Sequence, residues 1–304
     1  MNSSRRKFIQ SSALTLAGAA LFSNKLFAEK PHKEILGIQL YSVRDDMKTD
    51  PAGTLKQLAA MGYQYVEHAN YVDRKFYGYS PADFKKLLGD VGLKMHSGHT
   101  VMNEQHWDDS KKEFTDLWKH TIEDAATVGE HYVISPWLDK SWYSSYDVLQ
   151  HYMEVFNKSG ELCKASGLTF GYHNHNFEFN TQLNNTRLYD LILKLTDPAL
   201  VAQQLDMGNM YGAGGRAMDI LKQYPGRFAL LHVKDEIKST SGDGMDGYES
   251  TILGKGVIHT RDIIDLAKKS GGTTYYIIEQ ESYQGLTSLD CARQDYSIMK
   301  QWGY

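Results

Sequence analysis

Beyond Pro31 the chain alternates between two hydrophobic patterns. Short apolar runs at Ile35–Tyr41, Gln64–Glu67, Lys94–Ser97, Tyr132–Ser135, Thr169–His173, Ala202–Asp206, Phe228–Val233 and Thr274–Glu279 predict strands. Between them, apolar residues at i, i+3, i+4 spacing predict helices, among them Pro51–Met61, Pro81–Val91, Lys111–Val128, Tyr146–Ala165, Thr186–Leu195 and Thr260–Lys269. Gly62, Gly92, Gly129, Gly167 and Gly271 follow five of these helices, where a left-handed cap residue is expected. Eight β-then-α units without a long spacer predict a single α/β domain, a (β/α)8 TIM barrel over residues 29–304. A doubly wound sheet is the alternative, but no Gly-rich dinucleotide turn follows the first strand.

The polar residues that close the apolar runs carry the chemistry. The last four runs end in His173-Asn174-His175, Asp206, His232 and Glu279. In such barrels reactive groups sit at the C-terminal strand ends, and residues two apart share a face. His173 with His175, His232 with Lys234, and Glu279 with Glu281 are therefore same-face pairs, which predicts a lower layer of ligands and an upper layer facing substrate. A lone strand-end His or Asp is usually structural. Four on consecutive strands predict one divalent metal ion. Imidazole plus carboxylate without thiolate suits Mn, Co, Mg or Zn and does not choose among them. Gln39, Tyr41, Glu67, His99 and Trp137, at other strand ends, are candidate substrate contacts. Gly254-Lys255-Gly256 is a tight turn and only weak evidence for phosphate.

Composition narrows the partners. Across 304 residues, 41% hydrophobic and 23% charged content permits a sizeable core, and the net charge of −4 with no basic stripe argues against nucleic acid. Residues 1–28 read as a twin-arginine signal peptide: Arg5-Arg6, a modest apolar run from Ala13 to Phe22, and Leu26-Phe27-Ala28 for cleavage. The mature protein is then expected in the periplasm, without stable membrane insertion, the apolar run being too short to span comfortably. Cys163 and Cys291 lie in helical patterns far apart and are expected to be buried thiols.

Gly37-Ile-Gln-Leu-Tyr-Ser-Val-Arg44 resembles the opening strand of the xylose isomerase-like barrels, the sugar phosphate isomerase/epimerase group. The likeness extends through Gly62-Tyr63, Val66-Glu67, Gly171-Tyr-His-Asn-His-Asn-Phe-Glu-Phe179, Gln204-Leu-Asp-Met-Gly-Asn209, His232-Val-Lys-Asp235 and Ile278-Glu-Gln-Glu281. It implies one divalent metal held from the fifth to eighth strands, with Asp206, His232 and Glu279 matching the last three positions. Where the commoner pattern has Glu on the fifth strand, this chain has His173. Either His173 binds the metal, or Glu178 reaches back from the following loop. Glu178 is favoured because a third carboxylate keeps the epimerase ligand charge, and His173 would then contact substrate.

The expected reaction is metal-assisted proton abstraction next to a sugar carbonyl, leading to isomerisation or epimerisation. His175 and Glu281 are the candidates for proton transfer and Lys234 for polarising an oxygen. Export favours an unphosphorylated sugar. The His-x-His variation also resembles the inosose-dehydratase-like and keto-glycoside-processing branches, so a lyase acting on a 3-keto sugar or 3-keto-glycoside is the alternative. A non-catalytic sugar-binding barrel is a further one. An abasic-site endonuclease shares the barrel but calls for several metal ions and a basic surface.

Overall fold

The structure, a computed structural model, describes residues 34–239 and 246–304. The expected signal segment lies outside the described residues. Eight parallel strands form a closed barrel: β1 Ile35–Gln39, β2 Tyr65–His68, β3 Lys94–His99, β4 Tyr132–Ser135, β5 Thr169–His173, β6 Val201–Asp206, β7 Phe228–Val233 and β8 Tyr275–Ile278. Each strand pairs with its neighbours in sequence, and β1 closes the ring against β8 through Ile35 opposite Tyr275 and Ile38 opposite Ile278. Around it lie helices α1 Pro51–Met61, α2 Pro81–Asp90, α3 Asp116–Val128, α4 Tyr146–Ala165, α5 Leu188–Leu195, α6 Ala217–Gln223, α7 Thr260–Ser270 and α8 Ser288–Gln301.

Local chemistry sets the helix starts. Asp50 accepts from Gly53 N ahead of Pro51, and Ser80 accepts from Asp83 N ahead of Pro81. Proline at the first helical position loses no hydrogen bond there. Outward strand residues Val66, Leu205, Leu231 and Ile278 join helix residues Leu55, Phe84, Ile220 and Ile264 in one core. Val133, Phe170 and Val201 meet Trp118, Leu149, Met153 and Phe156 in a second. Burying each large apolar side chain contributes about 1.5–3 kcal/mol. Cys163 and Cys291 are buried free thiols, and no described helix is long and apolar enough to cross a membrane.

Two expected elements change shape. The first strand stops at Gln39, because its side chain accepts from Tyr41 N and turns the chain into a 3-10 segment, Leu40–Val43. The helix expected from Lys111 begins only at Asp116. Asp108 accepts from Ser110 N and Lys111 N and closes a tight hairpin between Trp107–Asp108 and Glu113–Phe114, with Lys112 in the left-handed region. Like the hairpin pairing Tyr71–Val72 with Lys75–Phe76, it stands in a loop at the C-terminal end of the barrel.

Candidate metal and substrate site

Inside the barrel, side chains two residues apart rise in layers. Ile134, Ala202, Leu230, Tyr275 and Ile277 fill the N-terminal end with apolar groups. Two residues higher on β6 to β8 come Gln204, His232 and Glu279, and two higher again Asp206, Lys234 and Glu281. Ligating atoms of Asp206, His232 and Glu279 all lie within 4.8 Å of one another, and those of His99, His173 and His232 do likewise.

His232 is the hinge of this arrangement. Its Nδ1 lies 3.0 Å from Glu279 Oε2 and 3.6 Å from Asp206 Oδ2, while its Nε2 is 2.6 Å from Glu67 Oε1. A ring whose far nitrogen donates to a carboxylate is the usual second contact of a metal-ligating histidine. Glu67 also accepts from Gln39 Nε2 and Gln204 Nε2, each at 2.8 Å. That fixes the Gln204 amide, whose Oε1 then accepts from His99 Nε2 at 2.7 Å and His173 Nδ1 at 3.0 Å. With its proton committed to Nδ1, His173 turns Nε2 toward Asp206 Oδ2, 4.0 Å away.

Burial alone would raise the buried carboxyls and lower the buried bases; pairing reverses this at the centre. Lys234 and His232 hold Asp206 below the usual carboxylate range and bring Glu279 down to about 2. His99 and His232 keep Glu67 well below its ordinary value. The surrounding carboxylates raise His232 and Lys234 well above theirs. Burial prevails at His173, pushed well down, and at His175, pushed to about 4. Both rings therefore carry a lone pair at neutral pH.

These residues fit a divalent cation. Asp206 Oδ1 accepts from Gly208 N at 2.8 Å and Asn209 N at 2.6 Å, but its buried Oδ2, 3.4 Å from Lys234 Nζ, has no hydrogen-bond partner among the described residues. The neighbouring ligands are hard oxygen and imidazole nitrogen. Asn174 clamps the Asp206 backbone from both sides.

The expected site residues fall into three places. Tyr41, His99, Trp137, His173, His175, Glu279 and Glu281 line one cavity of about 350 Å³, together with Asn209. Asp206 and His232 are buried beneath it. Gln39 and Glu67, expected to touch substrate, are instead fully buried and spent on each other, Gln204 and His232. Lys234, expected to polarise an oxygen, is buried with its three N–H groups facing Asn209 Oδ1, Glu279 Oε2 and Glu281 Oε2 at 2.9, 3.0 and 2.6 Å. It positions Glu281. Gly208 is required here, since a Cβ would stand 2.4 Å from Lys234 Cδ.

Glu178 is not among the converging ligands. Its Oε1 accepts from Tyr172 at 2.5 Å and its Oε2 from His175 N at 2.9 Å, and burial raises it to about 7. His173, by contrast, belongs to one of the two converging groups, with His99 and His232. The amides of Gly254 and Gly256 donate to Asp235 Oδ2, so this turn encloses an internal carboxylate and not a phosphate. Sequence reasoning missed Gln204 and Asn209 as site residues. Gln204 was signalled by its two-residue offset from Asp206.

A family model described as xylose isomerase-like TIM barrel matches residues 55–302. Inosose dehydratase of Mesomycoplasma hyopneumoniae is 25% identical over 257 residues, 75% of this chain and 80% of that protein. That of Clostridium perfringens is 29% identical over 138 residues, 42% of this chain and only 46% of its own length. Among solved structures, a sugar phosphate isomerase/epimerase from Parabacteroides distasonis aligns with a TM-score of 0.74 at 24% identity, over 90% of this chain and 98% of its own. The IOLI protein with a bound zinc atom aligns with a TM-score of 0.69 at 14% identity, over 88% and 97%, a likeness of fold.

Proposed function

The chain belongs to the xylose isomerase-like TIM barrel family, and from that premise we propose that it is an enzyme that removes a proton from the carbon beside a sugar carbonyl with the help of one divalent metal ion. The observation that carries the reading is the convergence of Asp206, His232 and Glu279 under a cavity lined by His175 and Glu281. His173 completes the ligand set. Bound there, the ion supplies positive charge where substrate oxygens become more negative as the proton leaves.

The protein's own groups do the rest. His175 takes the proton: it lines the cavity, burial keeps it neutral, and its Nδ1 has no hydrogen-bond partner among the described residues. Trp137 packs edge-on against its ring at 5.3 Å and fixes its orientation. Glu281, held as a carboxylate by Lys234, takes a hydroxyl proton of the substrate at a second position in the cavity and gives that proton back. Return to carbon gives isomerisation or epimerisation. Loss of a β-hydroxyl gives dehydration, the second reading, which the inosose dehydratase relatives favour. The export expected from residues 1–28 favours an unphosphorylated sugar.

His175→Ala is expected to keep its metal and fold while deuterium uptake into a keto sugar, followed by NMR in D2O, slows about 10²–10⁴-fold. Near-full exchange in that variant moves the base to Glu281. No exchange by the parent protein with metal, on any keto sugar, overturns the reading.

A further inference from the structure

A recess of about 480 Å³ adjoins the cavity over the metal ligands and shares Asn209 and Glu281 with it. It is built on the antiparallel hairpin of Asp235–Lys238 and Tyr248–Thr251, which follows β7 and sets Glu236 opposite Ser250. Ser250 ties the loop after β8 to this hairpin, its Oγ accepting from Glu281 N at 2.7 Å and Ser282 N at 3.0 Å. The turn after β5 brings Asn176 to the same wall.

Charge selects what this recess can hold. Glu236, Asp246, Glu249 and Glu281 line it, and among the described residues no Lys, Arg or His does. Lys234 pairs with Glu281 at 2.6 Å, but the other three carboxylates have no ion pair among the described residues. Glu236 is only 5% exposed, and its carboxyl has no hydrogen-bond partner among the described residues. A buried carboxylate left in that state is costly. Burial raises its carboxyl to about 8, with Asp206 and Glu281 adding to the effect against Lys234. The amides of Asn176 and Asn180 hold Asp246 in place through Oδ2, at 2.9 and 3.2 Å.

The spacing of these groups separates an organic cation from a metal ion. Among the described residues, ligating atoms gather within 4.8 Å of one another only in the two groups that contain His232. The recess carboxylates are too dispersed for that. An ammonium group directs three N–H donors apart and suits acceptors spread around it.

We propose that the recess receives an ammonium group of the molecule that reacts in the adjoining cavity, Glu236 being its buried anchor, so that the substrate class is a keto sugar carrying an amine. The inference rests on the proposed proton abstraction only for what happens to that molecule. The ammonium site itself stands on the unpaired carboxylates, their separation and the wall shared through Asn209 and Glu281.

The test uses the full chain supplied with manganese. Calorimetry compares glucamine, the amine of sorbitol, with sorbitol and N-acetylglucamine, none of which has a carbonyl to react. Glucamine should bind about tenfold or more tightly than the two uncharged probes, the margin of one hydrogen bond to a charged group. Glu236→Gln should erase most of that margin while metal content stays at the parental level. Glu249→Gln, at a partly exposed position, should narrow it and serves if Glu236→Gln does not fold. Deuterium uptake into 1-amino-1-deoxyfructose should likewise exceed that into fructose about tenfold in kcat/KM. If glucamine shows the margin and loses it in Glu236→Gln but no ketose exchanges, the ammonium site stands and the proton-transfer reading falls. Equal binding of glucamine and sorbitol overturns the ammonium site, and so does a margin that survives both substitutions. A second manganese ion per chain that is lost in Glu236→Gln assigns the recess to a metal and overturns it too. Exchange that favours fructose over the amino ketose overturns the substrate class, and absence of both exchange and glucamine binding overturns both readings.

Discussion

The two ends of the barrel interior are built from the same strand faces with opposite chemistry. At the closed end, Ala202, Leu230 and Ile277 pack with Ile134 and Tyr275. At the open end, two and four residues further along, β6 to β8 carry Gln204, His232 and Glu279, then Asp206, Lys234 and Glu281. The closed end is stabilised mainly by apolar contact, with one hydrogen bond between the Tyr275 hydroxyl and His131 Nδ1 at 3.2 Å. At the open end every buried charge depends on an opposite partner, because an unpaired charge in low dielectric is costly. Four carboxylates, Glu67, Asp206, Glu279 and Glu281, stand against Lys234 and His232. That imbalance is what a divalent cation corrects.

Breaking the open end should have the largest effect. Asp206→Ala removes a converging oxygen and one of the carboxylates facing Lys234. Metal content by elemental analysis should fall from one ion per chain to near zero, while Lys234 keeps its pairs with Glu279 and Glu281. Full metal occupancy in this variant sinks the site assignment.

The matching change at the closed end separates stability from function. Leu230 is fully buried within the apolar layer. Leu230→Ala should cost about 2–5 kcal/mol in urea unfolding while metal content at saturation stays at the parental level. If metal is lost as well, the two ends are not independent.

Between the layers lies Glu67, and a smaller effect is expected there. Glu67→Gln weakens the contact to His232 Nε2 without touching the converging oxygens. Metal affinity, measured by competition with a chelator, should fall about 10–100-fold. A parental affinity places Glu67 in packing only.

Much of this was legible in the sequence because the barrel repeats one pattern eight times, and the strand-end residues that break it are the ones that converge. Asp206, His232 and Glu279 could be read from position alone. Glu67 could not: it ends a strand as a substrate contact would, and only closure of the barrel puts it beside His232, 165 positions away in sequence. Glu178 was drawn to the metal by counting charge, whereas its oxygens are consumed by Tyr172 and His175 N. Helix α8 was read only as the helical pattern around Cys291, without bounds, for a related reason. Its buried face is Cys291, Ala292, Asp295 and Met299, and a carboxylate in the core position interrupts the apolar spacing.

Asp295 gives the sharpest small test of the rule that partners govern the open end. Like Asp206 it is fully buried, but among the described residues no cation forms an ion pair with it, and Lys255 acts on it only weakly. One oxygen accepts from Leu253 N at 2.9 Å and the other has no hydrogen-bond partner among the described residues. Burial, aided by the charge of Asp235, raises its carboxyl to about 7, whereas Lys234 and the histidines hold Asp206 low. The folded chain therefore keeps a proton on Asp295 that the unfolded chain, with an ordinary value of about 3.9, has lost. The resulting stabilisation is full below about pH 4 and disappears as pH rises through about 7. Asn at this position can accept from Leu253 N and carries no charge, so Asp295→Asn should remove the decline. Each unit of the upward shift corresponds to about 1.4 kcal/mol, so the variant should gain at least that much on the parent between pH 4 and pH 8 in urea midpoint measurements. If both proteins show the same pH slope, Asp295 is ionised in the fold, and burial without a cation does not decide the charge of an aspartate in this protein.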